Sequence, residues 1–223
     1  MYVINTCTTP GCNKLALSTI KADGTLIESS PFCFDHTEDK PFASRRIIDY
    51  IMGHEKIIGL DASGISFSDI DLSNKKFYGC NFSHCTFTGV HAAKLRSRMC
   101  ILDFSVFFES SFIESNMQYT SFSGSSFSQV LLTGSDLIDN NFNGIAAYQS
   151  SFDDSDLYNS RFIRATLENT SFRNCNIKKA IFYESKRSNA SFKLSNTREA
   201  LFDKSSDGRI SELDLLTEED LAK

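Results

Sequence analysis

Tryptophan is absent and no apolar run approaches the ~18 residues that a membrane-crossing helix needs, so the aromatic weight falls on 20 phenylalanines and no membrane span is expected. Residues 1–13 also lack the basic-then-apolar layout of a cleaved signal peptide, and a cytoplasmic location is expected. Charge of a single sign is missing as well. The formal net charge is −5 over 223 residues, of which residues 60–203 carry −1. Catalytic signatures are equally scarce: there is no glycine-rich phosphate loop, no Gly-x-Ser-x-Gly elbow and no His-Glu-x-x-His. A Ser, Asp and His grouping could be assembled anywhere on a surface this rich in serine, so it carries no weight. The protein is expected not to be an enzyme.

What is present is a beat of five. From Phe67 in steps of five to Phe202 there are 28 positions, and 23 of them are Phe, Leu, Ile or Met. Ala92 and Ala147 are milder members, and only Ser97, Arg187 and Thr197 break the pattern. A helix repeats near 3.6 residues and a half-buried strand at 2, so a period of five needs a chain that turns a corner in every unit. Two residues before each bulky position lies a small one, such as Cys80, Cys85, Ser110, Ser125, Ala165 or Ala180. Residues i and i−2 of an extended segment point the same way, so each unit sends one large and one small side chain inward. The residue just before the bulky one is often Asp or Asn, as at Asp71, Asn81, Asp136 and Asp156, which favour turns through side-chain to backbone hydrogen bonds.

Runs such as Cys80-Asn81-Phe82-Ser83-His84 and Ser155-Asp156-Leu157-Tyr158-Asn159 resemble the A(D/N)LXX units of the pentapeptide-repeat proteins. The resemblance covers about two thirds of the chain and keeps phase without an insertion or deletion. It implies an all-β fold, a right-handed quadrilateral β-helix with four units per coil, so that 28 units make about seven coils. Relatives of this kind include DNA mimics that dock on gyrase and confer quinolone resistance, and some members are exported as bacterial effectors. The near-neutral repeat is a poor imitation of a phosphate backbone. The expected function is therefore a macromolecule-binding scaffold that contacts a protein partner through its outer faces. The alternatives are a gyrase-binding DNA mimic and a secreted effector.

Four of the seven cysteines (Cys80, Cys85, Cys100 and Cys175) fall on the small inward position and read as buried hydrophobes. Cys80 and Cys100 lie one coil apart, but a disulfide between them is disfavoured in a reducing compartment. The other three stand upstream in the order Cys7-x4-Cys12, Cys33-x2-His36. Two tight pairs separated by a short arm suit one structural zinc ion per chain, with four ligands and no open position. Between the pairs, residues 14–20 and 25–27 read as strands joined at Asp23-Gly24. The segment resembles small Cys3His zinc fingers, yet Thr37-Glu38-Asp39-Lys40 follows where such fingers usually carry basic residues. Direct nucleic-acid binding is therefore not expected.

These readings divide the chain into a finger at 1–40, a capping helix and linker at 41–59, the solenoid at 60–203 and a helical cap at 204–223. In the second segment Ile47, Ile48, Ile51 and Met52 form one apolar stripe, expected to cover the exposed end of the first coil. Residues 90–104 carry a weak beat and the basic cluster Lys94, Arg96 and Arg98, a candidate partner contact. They are expected to stay in register as a poorly filled coil rather than leave as a loop. At Arg187 an inward charge is expected to force a bulge. The tail, with Thr217 before Glu218, Glu219 and Asp220, is expected to form a helix that also mediates a homodimer.

Overall fold

A computed structural model of the chain describes residues 5–21, 24–27 and 30–203. Both the C-terminal cap and the homodimer contact expected of residues 204–223 lie outside them. Twenty residues make one turn of a parallel β-solenoid of about seven turns, and each turn has four walls. Every wall is named here for its first bulky residue. The Phe67 wall is a six-stranded parallel sheet running from Ser66–Ser68 to Thr166–Glu168. Opposite it, the Phe77 wall pairs Lys56–Ile58, Lys76–Tyr78, Arg96–Arg98 and Asn116–Gln118, and single bridges continue it through Asp136, Asp156 and Asn176. The Leu72 and Phe82 walls are ladders of such bridges, for example Asp71 to His91 and Asn81 to Ile101.

The five-residue beat points inward. Phe82, Phe122 and Phe162 are at most 5% exposed, and of the 28 beat positions only Arg187 and Thr197 are more than marginally accessible. Like rings then stack directly on one another from coil to coil. Phe142, Phe162, Phe182 and Phe202 succeed each other with centroids 4.8–4.9 Å apart and planes 5–11° apart. Rings on opposite walls meet edge to face across the interior, as Phe152 and Phe162 do at 85°. Both arrangements suit the ring quadrupole.

The small inward column does more than leave room. Ser105 Oγ accepts the Cys85 N–H and donates to Phe82 O, and Ser125 Oγ accepts the Ser105 N–H and donates to Leu102 O. Each such hydroxyl satisfies a backbone group on the coil before its own, so serine is buried without an orphaned polar atom. On the outside, Asp71 and Asn81 accept the N–H two residues on, closing the turns expected of them.

The weak coil stays in register. Arg96–Arg98 pairs with the strands before and after it, and Ser97 sits on the beat, 3% exposed, with its hydroxyl 3.0 Å from Thr120 Oγ1. The missing bulk leaves a cavity of about 30 Å³ lined by Phe77, Phe82, Ser97, Leu102 and Met117. At Arg187 the expectation of a bulge is overturned. Lys186 bridges Thr166 in normal register, and the half-buried Arg187 places its guanidinium 5.0 Å over the Phe202 ring near the end of the described solenoid. A ring face accepts the cation without moving the backbone. Cys80 and Cys100 are free thiols, with Cys100 Sγ accepting the Cys80 N–H.

Parallel pairing begins at Lys56–Ile58. Ahead of it, the helix Lys40–Gly53 is capped by Asp39, whose carboxylate accepts the Phe42 N–H. Ile47 and Ile51 are 1% exposed and share one buried cluster with Leu17, Ile57 and Leu60, whereas Met52, assigned to the same stripe from sequence, is 43% exposed. Met52 instead gives its carbonyl, with that of His54, to Lys75 Nζ.

Because each ring is packed on both sides, replacing one opens a void along the whole stack. Phe162→Ala is expected to cost about 3–5 kcal/mol, against less than about 1 kcal/mol for the outward Phe104→Ala, as read by chemical denaturation.

Candidate functional site

Two features stand apart from the regular coils. The first is the Cys3His cluster. Pro10 and Gly11 (φ +79°) fold the chain so that Cys12 N–H reaches Thr9 O at 3.0 Å, while Cys7 N–H reaches Lys14 O at 2.8 Å. The second pair is built by a short helical turn, Phe34–His36, whose start at Cys33 lets its carbonyl accept the N–H groups of His36 and Thr37. A hairpin of Thr19–Ile20 against Leu26–Ile27, turning at Gly24 (φ +84°), brings the two pairs together. These strands are shorter than the sequence suggests.

The four ligand atoms lie within 4.8 Å of one another. His36 Nδ1 is 3.4 Å from both Cys7 Sγ and Cys33 Sγ, and Cys12 Sγ is 3.9 Å from Cys33 Sγ. A tetrahedral ion bound at about 2.3 Å by sulfur and 2.0–2.1 Å by nitrogen requires ligand edges of about 3.5–3.8 Å. The spacing fits. Burial works against a Cys7 thiolate, but hydrogen bonds from the Thr9 hydroxyl, the Cys33 and Thr9 backbone and His36 outweigh it and lower the thiol to about 5. The knot also joins the solenoid. Ser18 exchanges hydrogen bonds with Asp61 on the first coil, and Phe34 packs on Gly64, where a Cβ would come within 3.1 Å of its ring.

The second feature is the coil that spans residues 94–108. Its basic residues come to one side of the rod: Arg96 and Arg98 lie on the Phe77 wall, and Lys94 occupies the adjoining corner. Arg98 lies along the sheet, donating to Ser97 O and Asn116 O, and Lys94 pairs with Glu114 at 3.5 Å. Arg96 is exposed. Around the next two corners the same coil shows Met99, Ile101, Phe104, Val106 and Phe108, all between 39% and 69% exposed. Phe104 stacks on His84 of the coil before, at 5.3 Å and 15°. On the other side it lies over Gly124, where a Cβ would meet the ring at 2.7 Å. The apolar half of this coil went unmarked in the sequence because its residues fall between beats, where single apolar side chains are unremarkable.

Two family models match the chain. One, described as pentapeptide repeats in eight copies, covers residues 58–92, and the other, a pentapeptide repeat region, covers 125–202. Together they span just over half of the sequence. The chain belongs to the pentapeptide-repeat family. Among solved pentapeptide-repeat structures, full-length QnrB1, described as a plasmid-mediated fluoroquinolone resistance protein, is 17% identical, with 66% of this chain and 81% of that one covered and a TM-score of 0.47. Rfr23 from the cyanobacterium Cyanothece 51142 is 11% identical over 72% of this chain and all of that one, with a TM-score of 0.40. A pentapeptide repeat protein from the Arabidopsis thaliana thylakoid lumen is 23% identical over 66% and 88%, with a TM-score of 0.34. No curated protein matches. In this pentapeptide-repeat chain the unmatched residues 93–124 include the coil with the cavity and most of the exposed apolar side chains just described.

Proposed function

We propose that this protein is a non-catalytic scaffold that binds another protein through the outer walls of its solenoid, with the coil at 94–108 as the recognition edge. The observation that carries the proposal is the run of five exposed apolar residues on that one coil, Met99 to Phe108, set between coils whose neighbouring outward residues are mainly Ser, Thr and Asn. Apolar groups grouped in this way on an otherwise polar surface mark a contact site more than a solvated face does. The rod holds them rigidly, which lowers the ordering cost of association. A DNA mimic would need an acidic wall, and the wall richest in charge here changes sign along its length.

The Cys3His cluster is proposed to hold one structural zinc ion, which fixes the N-terminal knot against the first coil. Its four donors leave no site for substrate or water. Among the described residues no helix is long and apolar enough to cross a membrane.

The recognition edge is tested by a pull-down from the native host with the full chain and with Phe104→Asp/Phe108→Asp. A partner retained by the parent and weakened at least about tenfold by the double variant is expected. Equal capture by both would overturn the edge, and inhibition of gyrase supercoiling in a parallel assay would replace the proposal with the mimic. For the knot, metal analysis of the purified chain is expected to give about one zinc per chain, lost in Cys33→Ser with the solenoid's far-ultraviolet dichroism retained. A metal-free parent protein would refute it.

A further inference from the structure

The outward residues of the Phe77 wall form columns, because each coil repeats the last after twenty residues. Read along the rod, the leading column is Lys56, Lys76, Arg96, Asn116, Asp136, Asp156 and Asn176, held in register by strand pairing and then by bridges. Three cations are followed by one neutral side chain and two carboxylates. In the parallel column two residues along, Tyr78 and Tyr158 stand at equal distances on either side of Gln118.

Such a stripe is complementary to its own reverse. We propose that the Phe77 wall is a self-association surface on which a second copy of this chain docks antiparallel, about a two-fold axis passing by Asn116 and Gln118. That axis lies in the interface and runs across the rod, so it keeps each column in place and inverts the order of coils. Arg96 then faces Asp136 of the second copy, Lys76 faces its Asp156, and Tyr78 faces its Tyr158. A closed two-fold dimer needs a patch that matches itself in this way. Parallel docking, about an axis along the rod, would instead exchange the two columns, setting Arg96 against Arg98 and leaving Asp136 and Asp156 opposite Ile138 and Tyr158 with no cation to meet them. A polyanion such as nucleic acid would meet cations on one half of the wall and carboxylates on the other.

Two further observations fit a rod-on-rod contact. Stacked rings turn by only 4–11° between most coils, so the columns run nearly straight. The wall from Lys56 to Asn176 is six coil steps, about 29 Å long, and a five-residue unit that also turns a corner is less than about 16 Å wide. That footprint, less than about 450 Å² from each copy and about 900 Å² in all, falls in the range of weak, transient contacts, so the dimer should depend on concentration and weaken in salt. Lys76 already pairs with Glu55 in its own chain, and Asp136 already accepts from Asn116 and Gln118, so each contact forms in competition with one inside the chain.

Sedimentation equilibrium of the full chain at about 50 mM and about 500 mM salt tests the proposal. A dimer is expected at low salt, weaker at high salt. Arg96→Asp or Asp136→Arg alone should raise the dimer dissociation constant at least about tenfold, and the two together should restore it to within about threefold. Asp136 accepts hydrogen bonds from Asn116 and Gln118, so Lys76→Glu with Asp156→Lys provides a second exchange if the first lowers the melting temperature. A monomer under all conditions, a dimer indifferent to the reversals, or a failure of both exchanges to restore it would overturn the assignment. The indifferent dimer would place the contact elsewhere, as in a pairing through residues 204–223.

Discussion

Everything in the solenoid depends on one coincidence of lengths: the rise from coil to coil equals the distance at which aromatic rings stack. Parallel strands lie about 4.7–4.9 Å apart, and the ring centroids of successive coils lie 4.8–5.0 Å apart. Backbone hydrogen bonds and ring stacking are therefore satisfied by the same spacing, and neither has to yield. Twenty residues per coil is the condition for this, because only then does each Phe meet its counterpart. An inserted residue would shift all later side chains by one place and turn inward groups outward, which explains why weakly filled coils keep their length. Ser97 shows how strongly the constraint acts. The coil around it tolerates a cavity and a buried hydroxyl rather than give up register.

The corners carry the opposing cost. Among the described residues twenty-one non-glycine residues have positive φ, His84, Asp139 and Asn159 among them, all of them two places after a beat position. For most L-residues that conformation costs about 1–2 kcal/mol. Most such corners are held by a hydrogen bond to the next coil: His84 N–H to Asp103 O at 2.9 Å, Asp139 N–H to Tyr158 O at 3.0 Å and Asn159 N–H to Lys178 O at 3.0 Å. The left-handed corner aims the N–H along the rod, and the following coil supplies the acceptor. A coil is thus stable only in the presence of its neighbour, which makes the first and last coils the vulnerable ones. At the N-terminal end Ser18 takes up the backbone of Asp61, while Ile47 and Ile51 cover the apolar interior.

The fold was legible because inward positions recur at a period that no helix or flat strand can produce, and the Cys and His spacing likewise pointed to a cluster that the folded chain brings within 4.8 Å. Legibility ended where a side chain's role depends on the coil above or below. Serine at the small position reads as a space-saver, and only the folded chain shows Ser105 and Ser125 bonding to groups 20 and 23 residues away. Arg187 was misread for the same reason: the ring that accepts it, Phe202, is fifteen residues downstream, where a linear reading places no partner. Met52 fits the helical stripe by spacing, yet Ile47 and Ile51 are buried against the first coil while Met52 is 43% exposed.

With the interior filled by residues chosen for shape, a rod of this kind has only its outer columns in which to encode recognition. A column places side chains at steps of about 4.8 Å, slightly closer together than the roughly 5.4 Å between successive turns along a helix face. Like charges in one column therefore repel, and a long single-sign stripe costs more than one that alternates or changes sign. The Phe77 wall follows the second course, with cations at one end, carboxylates two coils beyond and asparagine between them. The apolar edge at Met99 to Phe108 uses the other freedom that the architecture allows, turning the corners of one coil so that neighbouring walls display a single patch. In the proposed contacts, charge sets orientation along the rod and the apolar edge supplies area across it.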